Sequence, residues 1–111
     1  MDDEINIIKY SFIDEYTKYP GGRFERLGPY SGEDFREKIL RPIFKSSKKI
    51  EINGTGVVTS FSPSFLDEAF GALAKEYGLA RFLEKVELFS EDNPDLNEKM
   101  MYYVERAIDA R

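Results

Sequence analysis

The chain has 111 residues, of which 41% are hydrophobic and 33% charged, and a formal net charge of −5. This is the size and balance of one small globular domain rather than of a disordered segment. It contains no Cys and no His, which excludes disulfides, a Cys nucleophile, a Ser-His-Asp triad and zinc sites built from Cys or His.

The sequence carries no targeting signal that we can identify. The acidic start Met1-Asp2-Asp3-Glu4 has neither the basic region nor the apolar region of a signal peptide. No apolar run approaches the ~18 residues that a membrane-spanning helix needs. We therefore expect a cytoplasmic protein that forms a single domain over residues 1–111, with no membrane or nucleic-acid partner, since a net negative charge disfavours both.

The first half of the chain predicts two strands and a helix. Residues 5–13 are rich in β-branched and aromatic side chains, which is typical of a strand. Pro20-Gly21-Gly22 then predicts a hairpin turn, and residues 23–27 a short second strand. Ser31 is a predicted helix N-cap. Pro42 should kink or end that helix, because proline has no N–H to donate to the fourth carbonyl before it.

The second half predicts two strands and two helices. Residues 49–53 alternate as a central strand, and Ser62-Pro63 predicts a helix start with proline at the first position, Ser64 being a competing N-cap. The apolar stripe of this helix ends at Gly78. A short strand at residues 86–89 and a final helix from residue 93 follow. Right-handed crossovers then make the strands at 49–53 and 86–89 parallel.

The start of the helix at Ser62 holds the most suggestive polar residues. Ser62 and Ser64 are either phosphate acceptors at a helix N-terminus or simple caps. Asp67 and Glu68 form a carboxylate pair, but adjacent helical residues diverge by ~100° and should not converge on one ion. The two carboxylates are instead interpreted as complementing the helix dipole or as recognising a partner. No metal site or cofactor site is predicted.

Basic residues and a helical glycine give weaker indications. Arg23 and Arg36 could hold an anion or an acidic partner, because guanidinium binds carboxylates in a bidentate manner. Residues 36–49 are basic and are read as a solvated face or as a surface for an acidic protein. Gly71 lies inside an apolar helix, which indicates a close approach by another element or by a partner. Tyr102 adds apolar surface to the last helix, so a homodimer is kept as an alternative.

Four blocks of sequence between residues 20 and 80 carry a family resemblance. They are Pro20-Gly21-Gly22-Arg23; residues 28–42, with Ser31-Gly32-Glu33-Asp34-Phe35-Arg36-Glu37 at their centre; Ile50-Glu51-Ile52-Asn53-Gly54; and residues 64–73, which begin Ser64-Phe65-Leu66-Asp67-Glu68-Ala69-Phe70-Gly71. In this order and spacing they resemble a bacterial STAS-like domain family of unknown function, distantly similar to anti-sigma-factor antagonists.

The resemblance implies an α/β fold of the STAS type. We expect a small mixed sheet of about four strands, with about three helices packed mainly on one side. It also implies a non-catalytic regulator that binds a kinase-like ATPase or an anti-sigma-type regulator. In the antagonists this binding is switched by phosphorylation of a serine at the helix start, within an Asp-Ser-Ser-Gly turn. Here Pro63 occupies the acceptor position, so Ser62 and Ser64 become the candidate acceptors.

The sequence therefore predicts a partner-binding surface at the loop before the helix at Ser62 and along that helix. The residues assigned to this surface are Ser62, Ser64, Asp67, Glu68, Arg23 and Arg36. The alternative is a domain that senses a small ligand or nucleotide through its glycine-rich turns and Arg23. An enzyme is a third class, but it would need Lys, Tyr or Arg chemistry that no pattern locates.

Overall fold

A three-stranded parallel sheet and five helices make up the computed structural model, which describes residues 6–110. The strands are β1 (Ile7–Ser11), β2 (Lys49–Asn53) and β3 (Val86–Phe89), in that spatial order. The helices are α1 (Phe12–Glu15, one turn), α2 (residues 32–44), α3 (residues 63–77), α4 (Leu79–Lys85) and α5 (Leu96–Asp109). None of these helices is both long and apolar enough to cross a membrane.

The strand predicted at residues 23–27 is wrong, and so is the hairpin before it. Glu25–Leu27 is a single 3₁₀ turn, and the loop closes on the start of α2. The amide of Gly21 donates to the carbonyl of Tyr30, and that of Gly32 to Gly22, both at 2.8 Å. The carbonyl of Arg23 likewise accepts from the amide of Glu33 at 3.0 Å, so the backbone of this segment bonds to the start of α2 instead of pairing with the edge strand β1. The described sheet is therefore entirely parallel and has three strands, not a mixed sheet of about four, and it is accompanied by five helices rather than about three.

The prediction of parallel central strands is confirmed by the register of the sheet. Ile8 pairs with Ile50 across β1 and β2, and Ile50 pairs with Val86 across β2 and β3. Parallel neighbours need a crossover, and here the crossovers run through α2 and through the α3–α4 pair. The helix predicted to start at Ser62 and to link the strands at 49–53 and 86–89 is α3, which lies in the crossover between β2 and β3.

The core lies on one face of the sheet, as expected from the resemblance. Tyr10, Ile52 and Leu88 point to this face and are buried, whereas Lys9 and Glu87 lie on the opposite, open face. Strand residues alternate between faces, so a sheet covered on one side shows this two-residue pattern. Six phenylalanines are fully buried beneath the helices, at positions 12, 35, 44, 65, 70 and 82. At ~1.5–3 kcal/mol for each buried ring, they supply a large share of the hydrophobic stabilisation.

Helices α2 and α3 each contain one π turn, Arg36–Leu40 and Asp67–Gly71. In α2 the π turn lies directly before Pro42, where the backbone bond to Lys38 is absent. The wider turn accommodates the proline ring, and the helix continues to Phe44 rather than ending. The predicted interruption is therefore in the right place, but it is a local widening.

Two glycines let the three long helices approach one another. A Cβ at Gly32 would lie 2.7 Å from the carbonyl oxygen of Phe65, so α2 begins directly against α3. A Cβ at Gly71 would lie 3.0 Å from the Cβ of Ala107, where α3 crosses α5. The interpretation of Gly71 as a packing glycine within the fold is confirmed.

Candidate binding groove

The two candidate serines at the start of α3 have different surroundings. Ser62 is the N-cap: its Oγ accepts a hydrogen bond from the amide of Phe65 at 3.0 Å and donates to the carbonyl of Gly21 at 3.4 Å. Ser64 is not a cap, so the competing start at this residue is wrong. It lies in the first turn, half-buried, and lines an open groove. Of the two hydroxyls, that of Ser64 is the one left for a modifying group.

The two carboxylates of α3 converge on one arginine, contrary to the expectation that they would diverge. Nη1 of Arg23 lies 2.7 Å from Oδ2 of Asp67 and 3.2 Å from Oε1 of Glu68. Both residues belong to the π turn, whose larger circumference reduces the angle between successive side chains. The hydrogen bond to Asp67 is the main reason that the pKa of Arg23 lies above its ordinary value.

Arg36 extends this cluster from α3 to α2. Its Nη1 lies 2.5 Å from Oε2 of Glu68 and donates to the carbonyl of the same residue at 2.9 Å, and its Nε pairs with Glu37 at 2.7 Å. The side chains of Arg36 and Glu68 are only 14% and 17% exposed. These bonds hold α2 and α3 together, so four of the six predicted binding residues contact one another directly.

Arg36, Lys38 and Arg41 of the basic stretch 36–49 are paired with carboxylates of α2 and α3. Lys38 binds Asp34 at 2.8 Å, and Arg41 binds Glu37 at 2.8 Å and Glu76 at 2.9 Å. Such i,i+4 pairs are typical of a solvated helix face. Within residues 6–110, no group of three or more acidic residues is arranged to hold a metal ion.

A groove of about 420 Å³ lies between α3 and α5, and it collects most of the predicted residues. Arg23, Ser64, Asp67 and Glu68 line it, whereas Ser62 and Arg36 do not. Its other wall comes from α5, for which the sequence indicated only self-association through Tyr102. The residues missed there and on α3 are Lys75, Tyr103 and Arg106.

A second cavity of about 340 Å³ adjoins this groove. Phe61, Leu66 and Tyr102 line it, and Pro63 and Tyr103 line both hollows. Its walls are mainly aromatic and aliphatic, with Lys99 at one side. Tyr102 is 55% exposed and packs edge-to-face against Tyr103. The groove and the adjoining cavity together form one composite surface, with an apolar end at the cavity and a charged end at the groove.

The fold and this groove define a class: a small parallel α/β domain whose described part carries a surface groove between two helices rather than a metal centre. The family comparison makes the class specific. Residues 31–96 match the model of the STAS-like domain of unknown function (DUF4325), and the chain belongs to that family. The comparisons with curated proteins and with solved structures gave no match.

Proposed function

We propose that this domain is a non-catalytic regulator that docks on a protein partner through the start of α3 and the groove beside it. Its membership of a STAS-like family supports a regulatory or interaction role. The observation that carries the proposal is that Arg23, from the loop before α2, lines one solvent-open groove together with Ser64, Asp67 and Glu68 of α3.

The partner proposed for this surface is a kinase-like ATPase or an anti-sigma-type regulator, by analogy with the antagonists that the sequence resembles. In this proposal Ser64 replaces the missing acceptor, because Pro63 has no hydroxyl and Ser62 is engaged as the helix cap. A phosphate on Ser64 would add about −1.5 to −2 charges to a groove that also holds Arg23 and Arg106. It would compete with Asp67 for Arg23 and so change the surface that the partner meets.

The proposal is tested by crosslinking from inside the groove. A photoreactive p-benzoylphenylalanine replaces Ser64 in one variant and Ser47, an exposed residue of the turn after α2, in a matched control. Irradiation in the native cell should give an adduct with an ATPase or regulator from position 64 and none from position 47. Adducts of equal yield at both positions, or none with such a protein, would contradict the proposal.

The phosphorylation step has its own measurement. The captured partner is incubated with the wild-type domain and Mg-ATP, and the product is mapped by mass spectrometry. We expect phosphate on Ser64, its loss in Ser64→Ala, and its retention in Ser62→Ala. Phosphate mapped to Ser62, or its absence from an otherwise functional complex, would remove Ser64 from the proposal while leaving the docking surface in place.

A second candidate function is the sensing of a small ligand or nucleotide. The groove volume of about 420 Å³ favours it, because small-molecule sites commonly occupy ~300–1,000 Å³. Thermal-shift measurements with millimolar ATP, ADP or GTP separate the two functions, since a ligand that binds only the folded state raises the melting temperature. A concentration-dependent rise that is lost in Arg106→Gln would support sensing over docking.

A further inference from the structure

The charges of α5 are divided between two sides of the helix. Its two basic residues, Lys99 and Arg106, line the cavities together with Tyr103, at spacings of three to four residues. Its three acidic residues, Glu98, Glu105 and Asp109, are exposed and line neither cavity. In a chain with a net charge of −5, this places positive charge where the surface is concave.

The acidic residues of the groove do not cancel that positive charge. Asp67 and Glu68 are the carboxylates that line it. Arg23 forms an ion pair with each of them, and Arg36 forms a further ion pair with Glu68. Lys75, on the α3 wall, is exposed. Lys75, Lys99 and Arg106 therefore remain to attract negative groups from outside the domain.

The adjoining cavity adds a place for an apolar side chain. Phe61 and Leu66 are buried beneath it, and Tyr102 and Tyr103 stand at its edge. The guanidinium of Arg106 lies over the ring of Tyr102, 5.5 Å from its centroid, which brings one of the cations to the boundary between the two hollows. Interfaces of this kind take their affinity from a buried apolar anchor and their specificity from charges at the rim.

We propose that this composite surface binds an acidic segment of a partner protein that carries one aromatic or branched aliphatic side chain. The apolar side chain enters the cavity beneath Tyr102, and flanking carboxylates pair with Lys75, Lys99 and Arg106. This inference rests on the proposed function and names the partner chemistry that the groove recognises. It does not depend on phosphorylation of Ser64.

The test uses a defined probe rather than an unidentified partner. A fluorescein-labelled ten-residue peptide carries one central phenylalanine with two aspartates on each side, in a Gly/Ser background. Control peptides replace the phenylalanine with glycine or the aspartates with lysines. We expect saturable binding of the first peptide in fluorescence anisotropy, at least fivefold weaker binding of both controls, and weaker binding at 300 mM than at 50 mM NaCl because surface charge pairing is screened.

Variants of exposed residues locate the binding without threatening the fold. Lys75→Gln, Arg106→Gln and Tyr102→Ala should each weaken binding of the phenylalanine peptide at least threefold. Lys45→Gln, at the exposed residue that directly follows α2 and does not line the groove, is the matched control and should leave binding unchanged. Amide shifts in NMR should concentrate on residues 61–75 and 99–107.

Several outcomes would overturn the inference. They are an absence of saturable binding, equal binding of the glycine control, and tighter binding of a single-stranded oligonucleotide with the same variant dependence. A concentration-dependent dimer in sedimentation that Tyr102→Ala abolishes would instead assign the surface to a second copy of this chain. If crosslinking from position 64 captures a partner while the peptide tests fail, the docking function stands and its acidic-segment chemistry is refuted.

Discussion

The packing of α3 against α2 and α5 predicts a graded response to three glycine-to-alanine substitutions, at Gly32, Gly71 and the control position Gly22. At Gly32 a new Cβ would lie 2.7 Å from a backbone oxygen and 3.2 Å from the backbone nitrogen of Ala69, neither of which moves without shifting α3. At Gly71 the contacts are less severe, with the Ala107 methyl and an Asp67 carboxylate oxygen at 3.0 Å and the backbone oxygen of Tyr103 at 3.2 Å. At Gly22 nothing lies within 4 Å. The three sites thus run from a rigid obstruction to open space.

The magnitudes follow from two opposing effects. Overpacking in a core typically costs ~1–3 kcal/mol, whereas replacing glycine by alanine gains ~0.4–1 kcal/mol by restricting the unfolded chain. We expect Gly32→Ala to lower the free energy of unfolding by about 1–2 kcal/mol, balancing these two ranges. Gly71→Ala should stay within about 1 kcal/mol of wild type, because the gain in helix propensity offsets the crowding. Gly22→Ala should be neutral or slightly stabilising.

Urea unfolding followed by circular dichroism measures all three variants under one condition. For a domain of this length, the expected loss in Gly32→Ala corresponds to a melting temperature lower by about 4–8 °C. The m-value should be unchanged, since the unfolded surface is the same. Gly32→Ala as stable as wild type, or Gly22→Ala as destabilised as Gly32→Ala, would refute the close approach of α2 and α3 that positions the groove.

Three further predictions test the local chemistry. Ser62→Ala should lower the free energy of unfolding by ~1 kcal/mol through loss of the helix cap, and Ser64→Ala by less than about 0.5 kcal/mol, both measured in urea. Lys85 is buried and donates to two backbone carbonyls at 2.5 and 2.8 Å, so Lys85→Met should cost about 2 kcal/mol in the same assay by leaving them unpaired. Hydrogen bonds from Arg41 lower the pKa of Glu37 to about 2 from an ordinary 4.5; stability should therefore fall as the pH drops from about 4.5 towards 2, and Glu37→Gln should flatten that dependence, an effect reduced by the solvent exposure of Glu37.

Local signals in the sequence predicted the features that depend on local bonds. Ser31 and Ser62 both act as N-caps, each accepting from an amide three residues on at 3.0 Å. Gly78 ends α3 with φ of +94°, in the region that glycine tolerates best. A cap or a terminating glycine needs only its own neighbours, so a short stretch of sequence contains all the information.

The failures concern features that need a distant partner. Residues 23–27 have the composition of a strand, but a strand exists only where it pairs with a neighbour, and here the segment bonds to the start of α2 instead. The contact of Arg23 with Asp67 joins residues 44 positions apart, which a single sequence does not reveal. One signal was available in the sequence of α5. Lys99, Tyr103 and Arg106 follow one another at spacings of four and three residues, which places them on one face of the helix, whereas the acidic residues lie on another face. That asymmetry is visible in the sequence once the helix is drawn as a cylinder.

Burial decides which arginine of the cluster is able to exchange its partner. Arg36 and Glu68 are 14% and 17% exposed, and removing one partner from such a shielded pair leaves an unpaired charge, which is strongly destabilising. Arg23 and Asp67 are each 33% exposed, and an ion pair of that kind contributes only ~0–1 kcal/mol. An incoming carboxylate or phosphate can therefore take Arg23 from Asp67 at little cost, while Arg36 continues to hold α2 against α3. The cluster thus separates a fixed pair, Arg36 with Glu68, from an exchangeable pair, Arg23 with Asp67, and both members of the exchangeable pair line the groove.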